Sequence, residues 1–449
     1  MNIELKQRWN NFPLKPARFP FFYGWVILFA GTVGVLVSAP GQTMGVSVFT
    51  DYLIDAIGIS RIELSLAYMI GTVASSFLLT WAGKMYDEYG ARIVGVVVSV
   101  FLGFILLLFS RVDQIIIALG GSGQSTVYTA VAISTLVILF FMLRFAGQGV
   151  LTMVSRNMMM KWFIRKRGFV NGISAVFVSF GFAIAPVSFN HFIEEFSWKG
   201  AYLIMAACIA ILFSLFVFLF FRDNPEDLGM TPDGEITVHT DKDVIVKAFK
   251  QFTLKEARHT YSFWLFSLPM AVYALYFTGF TFHLVSIFEN VGLNKEMALS
   301  VFVPMSFVSV FISFAGGWIS DKIKLKYLLY AITIGQVIAL FSLGHLDNGI
   351  FYYGFIIGNG VCSGLYSVLM AVTWPRFYGR NHLGRISGQV MAIIVFASAF
   401  GPVFFSFSNR TFGGYQFAFY IVMVISAVLF LLSFKAENPQ IKFRNQTQS

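Results

Sequence analysis

The chain has 449 residues, of which 12% are charged and 57% hydrophobic, with a mean hydropathy of +0.74. Soluble domains carry roughly 25% charged residues, so this composition excludes an ordinary water-soluble fold and points to an all-α membrane protein. The net charge of +10 is spread over short loops rather than gathered in a basic domain, which excludes a nucleic-acid partner.

A polar tail, residues 1–21, precedes the first apolar run. About 20 helical residues cross the hydrocarbon, and six runs of that kind are predicted near 22–49, 63–82, 93–110, 129–152, 169–189 and 200–221. Together they make an N-terminal lobe over 22–221. The polar linker 222–261 follows, and its 242–255 stretch sets Val244, Ile245, Val246, Phe249 and Phe252 among lysines. That pattern suits either an amphipathic helix on the membrane surface or a plain tethering loop. Six further runs, near 262–287, 298–319, 327–344, 350–373, 389–408 and 415–434, make a C-terminal lobe over 262–434, and a basic tail, 435–449, follows. The expected fold is twelve transmembrane helices in two pseudo-symmetric six-helix lobes.

Lysine and arginine fix the orientation, because cytoplasmic loops retain positive charge. All of the 32 basic residues except Arg61, Arg111, Arg144, Lys199, Lys295 and Arg410 fall in the tails, the linker and alternate loops. Both termini are therefore expected in the cytoplasm, and the membrane is read as a bacterial inner membrane. Cys208 and Cys362 lie inside spans of different lobes, so no disulfide framework, metal site or cofactor is expected. Val37-Ser38-Ala39 has the small residues of a signal cleavage site, but the run before it is assigned as the first span.

The two halves echo each other. Gly83-Lys84-Met85-Tyr86-Asp87 recurs as Gly317-Trp318-Ile319-Ser320-Asp321, and the loop from Trp162 to Gly168 recurs from Trp374 to Arg380. Each of those loops precedes a helix with a mid-span proline, Pro186 and Pro402. A hairpin repeated half a chain apart implies a duplicated bundle, the architecture of a two-lobed transporter.

The hairpin Gly83-x-x-x-Asp87-x-x-Gly90-Ala91-Arg92, repeated in part at Gly317-x-x-x-Asp321, resembles the loop signature of the major facilitator superfamily. Phe22-Tyr23-Gly24-Trp25, Arg144-x-x-Gly147-Gln148-Gly149, the Trp162 loop and the Pro225 to Gly234 segment are similar to its bacterial oxalate/formate and monocarboxylate transporter branch. The resemblance implies that the aspartate caps a neighbouring helix N-terminus and pairs with arginine, latching the lobes on the cytoplasmic side. Gly83, Asp87, Gly90, Arg92, Gly317 and Asp321 would form that latch. It also implies alternating-access transport of a small monocarboxylate-like anion, by proton symport or by antiport. The expected partners are that solute, membrane lipids and a coupling proton, and the protein is expected to be monomeric. The branch often binds carboxylates with basic residues in spans one, eight or eleven, whereas this chain has none between Trp25 and Asp51, Glu296 and Asp321, or Arg385 and Arg410. A neutral or amphipathic solute, efflux cargo included, is therefore the alternative, and a transporter-derived sensor is a further one. No nucleophile motif or His/Asp/Glu constellation occurs at a loop or cavity position, so no enzyme is expected.

An ionisable group inside a span costs roughly 2.5–3.5 kcal/mol on insertion scales and is a functional candidate by default. Arg144 is one, with Gln148 and Thr152 following at helical spacing. It either meets an anionic substrate or satisfies carbonyls freed by the Pro40-Gly41 break in span one. His283, on the face of Tyr276, is the other, either a titrating proton site or a hydrogen-bonded packing residue. Gln42, Asn359, Ser363 and Tyr366 complete the substrate-binding candidates.

Overall fold

The structure is a computed structural model that describes residues 11–120, 125–234, 249–347 and 349–444. Among them no β-strand occurs, and nine helices are long and apolar enough to cross a membrane. Two of these nine are continuous in hydrogen bonding yet turn sharply. Arg61–Phe109 turns at Gly90, whose φ of 81° a residue with a Cβ rarely adopts, and the long helix beginning at Arg167 turns at Ser197. The first span is itself in two pieces, Gly24–Val37 and Thr43–Ile57, separated by a 3₁₀ turn at Ala39–Gly41. Pro40 lacks an amide hydrogen and so removes one rung of the α-helical ladder at this turn. With these turns counted, the described helices agree with the twelve expected spans.

Some boundaries move. Span four continues to Trp162, about three turns beyond its expected end, through a π-helical stretch at Arg144–Leu151. Arg156 and Lys161, expected in a loop, are therefore helical.

The chain separates into two compact units. The first holds the residues through Trp162 with Phe180–Ile236 and Ser387–Gln389; the second holds Phe163–Ser179, Thr237–Ile386 and the rest. Inside each unit the repeat seen in sequence becomes the same packing. In the first, the Trp162 ring lies 5.9 Å from Phe22 and 5.5 Å from Tyr23, at the start of span one. In the second, Trp374 lies 5.8 Å from Phe263, at the start of span seven.

A strap precedes span one in the first unit and span seven in the second. Arg222, fully buried, donates to the carbonyls of Leu14 (3.2 Å) and Phe12 (3.3 Å), tying down the chain ahead of span one. Gln440, 2% exposed, accepts from the amides of Phe249 and Lys250 and donates to the carbonyls of Lys250 and Phe377, tying down the end of the linker. The linker's proposed amphipathic helix falls partly at 242–248, outside the described residues. From 249 to 253 the chain is not helical, and a short helix, Leu254–Arg258, begins only afterwards. Phe252 packs on Tyr378 and Phe443 rather than on lipid, because its ring is 4% exposed. Thr253 and Glu256 form a reciprocal cap there, and the Lys250 ammonium with the Thr253 amide and hydroxyl holds the Glu256 carboxyl down at about 2. A cap of this type contributes roughly 1 kcal/mol, so Thr253→Ala should speed amide exchange in Leu254–Arg258 about fivefold. Hydrogen-exchange mass spectrometry reads this directly; unchanged exchange would show that packing alone holds the turn.

Candidate functional site

The break in span one creates the first polar cluster. Gly41 and Gly147 pack backbone to backbone, and a Cβ on either would lie 2.8 Å from the other's Cα. That approach brings the π stretch of span four onto the carbonyls that the break leaves without helical partners. Arg144, 3% exposed, donates from Nη1 to the Gly41 carbonyl at 3.0 Å and to Thr43 Oγ1 at 3.4 Å. Its guanidinium carbon is 5.2 Å from the centre of the Tyr68 ring, whose hydroxyl is 3.0 Å from Thr43 Oγ1. No carboxylate among the described residues pairs with it, and its Nε is buried without an acceptor.

Around it, Thr152 Oγ1 donates to Ser38 Oγ at 3.1 Å, and Gln42 Nε2 reaches Ser38 Oγ at 3.0 Å and Thr152 Oγ1 at 3.4 Å. Gln148 Oε1 is buried with no partner. Of the expected stripe, Arg144 and Thr152 both meet span one, while Gln148 does not bond to it. The wider π turn rotates the residues between them away from ordinary i+4 register.

In the second unit, span ten carries Asn359, Ser363 and Tyr366. Tyr276 donates its hydroxyl to Asn359 Oδ1 at 2.7 Å, and Asn359 Nδ2 meets Met305 Sδ at 2.6 Å. The Tyr273 ring lies 5.4 Å from both Tyr276 and Tyr366. His283 stands apart from this cluster. Its Nε2 is 3.0 Å from the Pro402 carbonyl and its Nδ1 is 3.3 Å from the Tyr415 hydroxyl, which donates to Ser286 Oγ. Both ring nitrogens of His283 therefore lie at hydrogen-bonding distance from groups of spans eleven and twelve, away from the Tyr276 hydroxyl.

The hairpin candidates divide similarly. Asp321 accepts from the amides of Gly168 (3.0 Å) and Phe169 (3.1 Å), the N-terminal turn of span five, and from Arg376 Nη2 at 3.1 Å. Carboxylate at a helix N-terminus is the favourable end of the dipole. Gly317 is required because a Cβ there would lie 2.3 Å from the Gly168 carbonyl oxygen. Burial raises the Asp321 carboxyl above its ordinary range, against the pull of the two amides and Arg376. In the first hairpin Gly83 is buried, half-buried Asp87 follows one turn later, and Gly90 makes the turn. Arg92 then donates from Nε to the Phe218 carbonyl at 2.7 Å and lies 4.4 Å over the Phe218 ring; its Nη2 reaches the Phe12 carbonyl.

One acid escaped the sequence reading. Asp223, just after span six, pairs with buried Lys161 at 3.0 Å and accepts from the Ala91 amide at the start of span three. Its counterpart after span twelve, Glu437, pairs with Lys326 at 3.3 Å. The signal was present as Asp223-Asn224-Pro225 and Glu437-Asn438-Pro439, an acid-Asn-Pro repeat at the exit of each lobe. Among the described residues no cluster of metal-ligating side chains occurs.

Comparison with known proteins agrees with this architecture. The family model described as Major Facilitator Superfamily matches residues 31–402. A nitrite extrusion protein of Bacillus subtilis is 23% identical over 84% of this chain and 85% of its own. Human monocarboxylate transporter 12 is 25% identical over 60% of this chain and 56% of its own. Among solved structures, the proton:xylose symporter XylE superposes with a TM-score of 0.61 at 17% identity, covering 92% of this chain and 95% of that one. The human organic anion transporter MFSD10 superposes with a TM-score of 0.60 at 13% identity, covering 91% and 99%.

Proposed function

Because this chain belongs to the major facilitator superfamily, and is a multi-pass transporter rather than an enzyme, we propose that it moves a small organic anion of monocarboxylate type across the membrane by alternating access. The observation that carries the substrate class is Arg144: a guanidinium 3% exposed, beside a helix break, with no carboxylate partner among the described residues and an unused Nε. A buried cation without a countercharge is costly, and an incoming carboxylate supplies that charge through a charge-assisted hydrogen bond. The relatives that extrude nitrite or carry monocarboxylates support an anionic cargo. Within the second unit, the hydroxyl-rich group of Tyr273, Tyr276, Ser363 and Tyr366 offers neutral donors. That group holds no charged side chain, which favours a neutral solute as the second reading.

Purified protein in liposomes separates the two. Counterflow of labelled short-chain monocarboxylates should be robust in the parent and fall at least a hundredfold in Arg144→Gln, in line with roughly 3 kcal/mol for a lost buried charge contact. Arg144→Lys keeps the charge but loses the planar fork, and should recover only part of the rate. Equal anion flux in Arg144→Gln would remove the anion reading, and flux of an uncharged solute would install the other. Coupling follows the same assay: a proton-linked cycle accumulates anion against its gradient when the outside is acidified, whereas exchange needs a counter-anion inside.

A further inference from the structure

We propose that a pocket at the tail end of the second unit binds the phosphate-bearing headgroup of an anionic phospholipid. The pocket has a volume of about 310 Å³ and lies where span nine begins, span ten ends and the 436–441 segment returns. Apolar Ile323, Leu325, Phe377 and Ile441 line it together with cationic Lys324, Lys326 and Arg376 and the acid Glu437.

The cationic lining is built rather than incidental. Arg376 is 2% exposed; its Nη1 donates to the Ser320 carbonyl at 2.6 Å and its Nη2 to Asp321 at 3.1 Å, while its Nε is buried with no acceptor. Lys326 is paired with Glu437 at 3.3 Å, and exposed Lys324 has no ion pair among the described residues. Three cations therefore meet two acids, leaving a surplus positive charge beside one small volume. A free phosphate would satisfy the cations but leave the apolar lining dry and unfilled. A phospholipid brings the anion and the first methylenes together, and the pocket sits at the ends of Leu325–Leu343 and Gly349–Tyr378, the depth at which headgroups lie. Basic pockets between membrane helices recognise anionic headgroups by this combination.

The test uses the full-length, delipidated protein in detergent, with binding of short-chain phosphatidylglycerol read by native mass spectrometry. Phosphatidylcholine of the same chain length and inorganic phosphate are the comparison probes. The proposal expects phosphatidylglycerol to bind at least tenfold tighter than phosphatidylcholine and to survive millimolar phosphate. Lys324→Ala should weaken it roughly fivefold, the usual worth of one lysine near a headgroup. Glu437→Gln, which removes the pocket's own acid, should tighten it by a similar factor. Both side chains are exposed, so neither change threatens the fold. Equal binding of the two lipids, or indifference to both substitutions, overturns the proposal. Displacement of the lipid by phosphate also overturns it, and reassigns the pocket to a free anion.

Discussion

Asp321→Ala should destabilise the second unit by about 3–5 kcal/mol, because it removes one partner of a buried pair and leaves Arg376 charged, 2% exposed and without its carboxylate. Two amides at the start of span five lose their acceptor in the same step. The side chain acts as an acceptor, taking hydrogen bonds from two amides and one guanidinium. Asp321→Asn, which keeps one acceptor oxygen, should therefore lose less than alanine. Cys362 provides the measurement: it is fully buried, and in a Cys208→Ser background its labelling by a thiol reagent on heating reports opening of this unit. A labelling midpoint equal to the parent's would strike Asp321 from the ties that hold the unit.

The second large effect is expected at Gly147. A Cβ there would lie 2.8 Å from the Gly41 Cα and 3.3 Å from the Ser38 carbonyl oxygen, both backbone atoms that no rotamer change can move. Gly147→Ala should cost about 1–3 kcal/mol of overpacking and pull the Gly41 carbonyl away from Arg144. Uptake should fall at least tenfold while the protein still elutes as a single folded species. Gly349→Ala, with nothing within 4 Å of the added atom, is the control and should be silent in both measurements. Normal uptake by the Gly147 variant would mean that the crossing of spans one and four is not part of the transport site.

Much of this was legible because it is written locally. Pro40 beside Gly41 announces the break in span one, Gly90 announces a turn, and the Gly-x-x-x-Asp spacing puts Gly317 and Asp321 on one face at a helix end. Trp162 and Trp374 were paired by sequence offset and proved to play matching packing roles in their own units. His283 and Asp223 were not legible in the same way. Helical spacing aligned His283 with Tyr276, but a helix face is wide enough to meet two different neighbours, and His283 meets spans eleven and twelve. Asp223 gains its partner only because the helix of span four extends to Trp162 and carries Lys161 beside it.

Apolar runs, charge asymmetry and the repeated hairpin determined from the sequence alone that this is a duplicated bundle of membrane helices, because lipid leaves a chain with so little charge almost no other way to satisfy its backbone. Tertiary structure alone decided what the buried polar groups do. Arg144 could have faced lipid, a carboxylate or a carbonyl; its Nη1 bonds the Gly41 carbonyl because two glycines let spans one and four touch and a π turn aims the side chain at the break. Such a contact depends on residues about a hundred positions apart meeting within an ångström or so, and no local pattern carries that information.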